Sequence, residues 1–272
     1  MPAQPRSGPR PAPLDEYSIE LTGDQTNMSA NNAFVVGGSG GIGAAVARRL
    51  AEDGKRVYIG YNQGIERAEA ICESLPGRGH ELVQISIDDS RSIEAAVGRI
   101  AGDNKAGLEI LVNCAGFTQP IRHADLDALD DALFDAIMAA NVRGPFSLIR
   151  SFRHLLAASG AGIIVNISSI SGFTGSGSNV AYCASKAALD TMTMSLARVL
   201  GPAIRVMTVS PGAVATNFVA GRDRAALESL AAATPLKVVV DPEDVAEAVF
   251  ACLRLRASTG TGIVVDGGRF LV

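Results

Sequence analysis

The sequence predicts an α/β fold: a single doubly wound domain in which a parallel sheet of seven strands is flanked by helices. Three observations carry this prediction. Beyond Asn32, short runs rich in Val and Ile alternate with helix-length amphipathic segments, the pattern of parallel strands joined by crossover helices. The strand runs are almost continuously apolar, as strands covered on both faces must be. The 272 residues are 47% hydrophobic and 19% charged with 29 glycines, which suits one soluble domain with tight turns.

Residues 1–30 are set outside the fold. Their beginning is crowded with proline and arginine and lacks the apolar core of a secretion signal, so it reads as a disordered extension. Residues 31–272 are expected to form the single folded domain. Its strands are expected at 33–36, 56–61, 81–87, 110–113, 162–168, 204–210 and 262–266. After the first strand, Ile42, Ala45, Val46, Arg49 and Leu50 fall at helical spacing, and Gly54 stops the helix. A second, short helix is expected at 66–74. Residues 127–157 are helix-compatible throughout, with a kink or division near Gly144-Pro145 because proline lacks an amide donor. Val180–Leu200 forms another long helix, and residues 218–233 read as a mobile helical flap over a site. Asp241-Pro242-Glu243-Asp244 opens the last helix, with Asp as cap, Pro in the first turn and acids at the positive end of the dipole.

Composition also excludes functions. A net charge of −4 offers no broad basic field for nucleic acid. No apolar stretch is long enough to span a membrane. Cys72, Cys114, Cys183 and Cys252 lack the paired spacing of a zinc site or a redox dithiol, so they read as buried, reduced thiols of a cytoplasmic protein. Asp125, Asp127, Asp130 and Asp131 read as a solvated acidic face, not a metal site. His80, His123 and His154 share no spacing and read as surface residues.

Chemistry begins at Gly37-Gly38-Ser39-Gly40-Gly41-Ile42-Gly43, where the first strand runs into the first helix. Amides at a helix N-terminus are unpaired and partly positive, and a glycine-lined turn lets a pyrophosphate approach them. This points to a dinucleotide on a Rossmann-type fold, with the ribose at the end of the second strand. That end reads Gly60-Tyr61-Asn62-Gln63, without the carboxylate an NAD ribose usually requires. NADP(H) is therefore favoured over NAD(H), with Arg67 a candidate partner for the 2′-phosphate.

Tyr182 and Lys186 stand four apart in a helical segment and so share a face. An ammonium beside a phenol favours the phenolate, which would let Tyr182 act as general acid in reduction and base in oxidation. Ser169 follows the fifth strand at the carboxyl edge of the sheet, where open α/β folds bind ligands, and its hydroxyl can hold a substrate oxygen.

These residues resemble the short-chain dehydrogenase/reductase family from Ala33 to the C-terminus. Gly37, Gly41, Ile42 and Gly43 are similar to its cofactor turn, with Val36 where Thr is customary. Asn113-Cys114-Ala115-Gly116 resembles its Asn-Asn-Ala-Gly segment, which implies support for the sheet and contact with the adenosine side. Asn141, Ser169, Tyr182 and Lys186 match its catalytic tetrad in order and spacing. The match implies that Asn141 holds a relay water and that Lys186 binds the nicotinamide ribose. Ser210-Pro211-Gly212-Ala213-Val214-Ala215-Thr216 resembles its Pro-Gly segment, implying that Val214 and Thr216 fix the carboxamide. Asp266-Gly267-Gly268 resembles its usual ending. Ser86 stands where an acidic residue near the adenine is customary, with Asp88 and Asp89 displaced.

Within the family the look is closest to 3-oxoacyl-(acyl carrier protein) reductases and polyketide ketoreductases. It implies reduction by NADPH of a 3-oxoacyl thioester on acyl carrier protein or CoA. Gly160, Pro202 and Ala203 depart from the basic surface that carrier-protein docking would use. The alternatives are a dehydrogenase of a sugar, steroid or other secondary alcohol, and a catalytically idle nucleotide-binding or regulatory protein. Substrate contacts are expected from 118–122, 172–179 and 218–233. Helices 127–157 and 180–200 would bury faces between subunits of a homotetramer.

Overall fold

The computed structural model describes residues 31–103 and 106–272; the expectation of a disordered extension at 1–30 falls outside them. Seven parallel strands, β1 (Asn32–Val36), β2 (Arg56–Tyr61), β3 (Glu81–Gln84), β4 (Ile110–Asn113), β5 (Gly162–Ile167), β6 (Ile204–Pro211) and β7 (Gly262–Val265), form one sheet. Their order is β3-β2-β1-β4-β5-β6-β7. The chain reverses direction across the sheet between β1 and β4, and this switch point opens a crevice at the carboxyl edge.

Side chains alternate to two cores, one on each face. Val35, Ile59, Val112, Val165 and Val209 pack on Val46 and Leu50 of α1 (Gly41–Glu52) and on Val245 and Val249 of α9 (Pro242–Arg254). On the other face Phe34, Tyr58, Leu111 and Ile164 meet α3 (Ser90–Asp103) through Ile93 and Ile100, and α5 (Gly144–Ala158) through Leu148, Phe152 and Leu156. Phe34 and Phe152 touch with ring centroids 5.3 Å apart. Burial on both faces of β1, β2, β4, β5 and β6 explains why these strands carry no polar alternation.

α2 (Ile65–Ser74) and α7 (Val180–Leu200) lie where the sequence placed them, and one short turn of helix, α6 (Ser171–Thr174), stands between β5 and α7. α8 (Arg224–Ala232) occupies the expected flap and is capped by Asp223, whose carboxylate accepts from the Ala226 amide at 2.8 Å. Asp241 and Asp244 form a reciprocal capping box at α9. Three differences stand out. α3 was not anticipated. β3 ends at Gln84 rather than Ile87; only the Ile85 amide extends its pairing, to Tyr61 at 2.8 Å. The expected helix 127–157 is α4 (Asp131–Met138), a π turn (Ala139–Arg143) and α5, so the break precedes Pro145, which sits in the first turn of α5. Asp130 caps α4, accepting from the Leu133 amide at 2.8 Å, which keeps residues 127–130 outside the helix.

His123 and His154 are exposed, whereas His80 is structural: its ring accepts the Val57 amide at 3.1 Å and contacts the Pro76 carbonyl at 2.9 Å. All four thiols are free; Cys183 and Cys252 are buried, while Cys72 and Cys114 are partly exposed.

Candidate active site

The turn after β1 is shaped by two glycines. Gly37 has φ +81°, and a Cβ there would sit 2.7 Å from the Ala115 amide nitrogen after β4. A Cβ on Gly43 would collide with the Gly37 carbonyl, so only glycine lets α1 start this close to the strand. Gly40 precedes α1 in extended conformation. No side chain caps this helix and its first turn holds no acid, so its leading amides face the turn with their partial positive charge uncompensated. A dinucleotide's diphosphate fits that end. Thr216 lies tight against Gly41, since a Cβ on Gly41 would come within 2.6 Å of its methyl, and this joins the segment after β6 to the turn.

A cleft of about 240 Å³ continues from there across the carboxyl edge of the sheet. Ile42, Gly116, Ser169, Tyr182, Lys186, Pro211, Gly212, Val214 and Thr216, all anticipated from the sequence, line it together. Gly37, Ser39, Gly40, Gly41 and Gly43 form the adjoining turn. Tyr61, buried, and Asn62, exposed, end β2 beside it, and the Arg67 guanidinium curls back toward Gly64, just beyond them. Asn113 does not reach the cleft. Its amide donates to Asn166 at 2.7 Å, Asn166 donates to Thr193 at 2.9 Å, and the chain ties β4, β5 and α7 together. Its role is support of the sheet; Cys114 and Gly116 are the members of that segment which face the cleft. Ser86 donates to the Asp88 carboxylate, and that bond holds the acid below its ordinary range.

Tyr182 is fixed by its own helix start. Buried Asn179 caps α7, accepting from the Tyr182 amide at 2.7 Å and donating to the Gln119 carbonyl at 2.8 Å. Ser185 donates to the Tyr182 carbonyl at 2.8 Å and receives a bond from Asn141 at 3.1 Å. Asn141, buried in the π turn, also pairs with both the amide and the carbonyl of Phe117 at 2.9 Å. Both of its side-chain donor hydrogens are thus engaged, and it braces Tyr182 from behind rather than lining the cleft. Ser169 donates to Ser171 at 3.1 Å and faces the phenol. Phe218 stands over the Tyr182 ring, 6.1 Å between centroids.

Lys186 is buried and donates to the Ile167 carbonyl at 2.8 Å, with its ammonium 5.6 Å from the Tyr182 ring centre. Burial drives it down from 10.5 to about 8, against the pull of Asp190 one turn on. The expectation that Lys186 lowers the phenol is not met in this arrangement. Burial pushes Tyr182 up from 10.0 to about 12, and the groups opposing it are Ser169 and Arg222. The reason is geometric: the ammonium is turned to a backbone carbonyl, and desolvation of the phenolate dominates.

Sequence reasoning missed five cleft residues outright: Ile167, Ser168, Ile170, Ser171 and Arg269. They lie outside the segments expected to touch substrate, whereas Ser176, Ser178, Phe218 and Arg222 fall within them. Arg269 follows Asp266-Gly267-Gly268, and no pattern in that ending marks it as a cleft residue.

The family profile described as enoyl-(acyl carrier protein) reductase matches residues 37–269. A Streptomyces violaceoruber protein assigned as ketoacyl reductase 2 of the granaticin polyketide synthase is 37% identical, over 88% of this chain and 96% of its own length. Cis-4-hydroxycyclohexanecarboxylate dehydrogenase of Sinomonas cyclohexanicum is 35% identical, over 87% and 95%. The solved structure of a Burkholderia xenovorans protein assigned as a short-chain dehydrogenase/reductase superposes with a TM-score of 0.83 at 33% identity, covering 90% of this chain and 99% of that one. On these matches the chain belongs to the short-chain dehydrogenase/reductase family of nicotinamide-dependent oxidoreductases.

Proposed function

We propose that the chain reduces a ketone at this cleft, with a 3-oxoacyl thioester of acyl carrier protein or CoA as the first substrate class and NADPH as reductant. The observation that carries the reading is the convergence of Ser169 and Tyr182 on one cleft at the carboxyl edge of the sheet, with Lys186 buried beneath. A bound nicotinamide supplies the hydride. Ser169 holds the ketone oxygen and Tyr182 gives it a proton, so negative charge on that oxygen never builds up unpaired. A phenol kept protonated by burial suits the role of acid in reduction. Asn141 and Asn179 keep the Tyr182 backbone in place. A relay water beside Asn141 would use its backbone carbonyl, because both amide hydrogens are engaged.

NADPH is favoured because Tyr61-Asn62-Gln63 offers no carboxylate to repel a 2′-phosphate and Arg67 lies close by. The ketoacyl relative supports the thioester. The hydroxycyclohexanecarboxylate relative favours a second reading, oxidation of a secondary alcohol. The apolar exposure of Phe146 and Met194 on the long helices suits a homotetramer, which light scattering of the purified protein reads directly. No helix among the described residues is long and apolar enough to cross a membrane; a cytoplasmic site is part of the same proposal.

The test is nicotinamide oxidation with acetoacetyl thioesters, a panel of ketones and a crotonyl thioester, run with NADPH and NADH. Turnover of the ketones that vanishes in Tyr182→Phe is expected. Turnover of only the enoyl thioester, or cofactor binding without turnover of anything, would overturn the assignment.

A further inference from the structure

The cleft is lined by three cationic side chains, Lys186, Arg222 and Arg269, and by no acidic one. Lys186 is engaged by the Ile167 carbonyl. The two guanidiniums differ from it: among the described residues neither forms an ion pair or a side-chain hydrogen bond. Both are only partly exposed. Elsewhere Arg49 and Arg56, similarly sheltered, pair with Glu247 and Glu81, as partly buried charges generally must. The carboxylate nearest to Arg269 in sequence is turned away, because Asp266 accepts the backbone amides of Gly268 and Phe270 at 2.8 Å.

Arg222 comes from the segment between β6 and α8, and Arg269 from the 3-10 turn Arg269–Leu271 beyond β7. Separate parts of the fold therefore deliver two like charges to one cleft. They feel each other: burial, and then the charge of Arg269, make it harder for Arg222 to stay protonated, while Arg222 acts in turn on the Tyr182 phenol. Phe218, Val219 and Leu230 supply apolar wall around them, and Ser171, Ser176 and Ser178 supply hydroxyls. Repelling cations in a sheltered pocket are relieved by one kind of occupant. Guanidinium forks match the paired oxygens of a carboxylate.

We infer that the substrate carries a carboxylate, clamped by Arg222 and Arg269 while the carbon undergoing reduction faces Ser169 and Tyr182. This rests on the ketone-reductase reading above. The carboxylate can arrive on a free oxo acid or at the end of an acyl chain held as a thioester; a neutral 3-oxoacyl chain leaves the clamp unfilled.

The experiment uses the full chain with saturating NADPH and three sets of substrates: short oxo acids, their methyl esters, and acyl thioesters with and without a terminal carboxylate. Binding of the oxo acids to the cofactor-loaded protein is followed by calorimetry in parallel. An acid should be preferred over its ester by roughly tenfold or more in kcat/KM, and Arg222→Leu and Arg269→Leu should each collapse that ratio by about tenfold. Arg222→Lys should restore part of it. The thioester arm tells the two sources of the carboxylate apart. Equal use of acid and ester, or a ratio unchanged in both leucine variants, overturns the clamp. So does weakened NADPH binding in the variants with the ratio intact, since the arginines would then serve the cofactor. If no ketone turns over, the reductase reading fails, and calorimetry still decides the clamp: acid binding lost in both variants supports it, and binding that is absent from the parent or kept in the variants overturns it.

Discussion

Replacing Lys186 by methionine should change how stability depends on pH, in a direction fixed by the buried ammonium. In the fold this lysine is held at about 8 against 10.5 for an ordinary lysine. At about 1.36 kcal/mol for each tenfold change in proton affinity, keeping it charged opposes folding by on the order of 3 kcal/mol near neutrality. The sign follows from which state binds the proton more weakly. Here the folded state does, so the penalty is complete below about 8, shrinks as pH rises toward 10.5 and is gone above it. Lys186→Met removes the penalty and keeps the stem. It also leaves the Ile167 carbonyl without its 2.8 Å donor, a loss of about 1–3 kcal/mol that pH does not alter. The Tyr182 phenol titrates higher, and Lys186 is not among the groups that shift it, so its contribution cancels between the two proteins. Urea unfolding of parent and variant from about pH 7 to about pH 10 should therefore show the parent gaining roughly 2–3 kcal/mol on the variant. A difference that stays flat across that range would refute a desolvated, charged Lys186.

Other expectations follow from single contacts. Gly43→Ala places a methyl against the Gly37 carbonyl, so nicotinamide binding, read by fluorescence titration, should weaken at least tenfold even where circular dichroism reports a folded chain. Asn179→Ala removes the α7 cap and the Gln119 tether; it should lower stability by about 1–2 kcal/mol in a urea melt and lower kcat more than it raises KM, because Tyr182 loses its anchor. Arg67→Gln should raise KM for NADPH several-fold and leave that for NADH nearly unchanged, provided the guanidinium beside Gly64 meets the 2′-phosphate.

Much of this architecture was legible because burial on both faces of the central strands imposes a simple pattern, an apolar run for each. The ends were less so. β3 stops at Gln84 although Ile85 and Ile87 continue the apolar pattern, because pairing depends on the neighbouring strand, which ends at Tyr61. α3 carried a readable signal in Ile93, Ala96 and Ile100, spaced to bury one face. The pairing of Tyr182 with Lys186 was legible because the two lie one helical turn apart, a local relation. What the lysine does was not, since its partner Ile167 is nineteen residues away and was set by packing. Arg222 and Arg269 were illegible as a pair for the same reason: nothing local to either residue points to the other.

The π turn has a consequence for how this chain can vary. Successive helical residues are rotated by about 100° around the axis, so one residue added or removed between Met138 and Gly144 would swing everything beyond it by that angle. Either the bracing amide of Asn141 would leave Phe117 and Ser185, or Leu148, Phe152 and Leu156 would turn out of the core. The widened turn thus phases two surfaces against each other, and tolerance to single-residue insertions and deletions should fall sharply at residues 139–143 while the exposed loop before Asp130 accepts them.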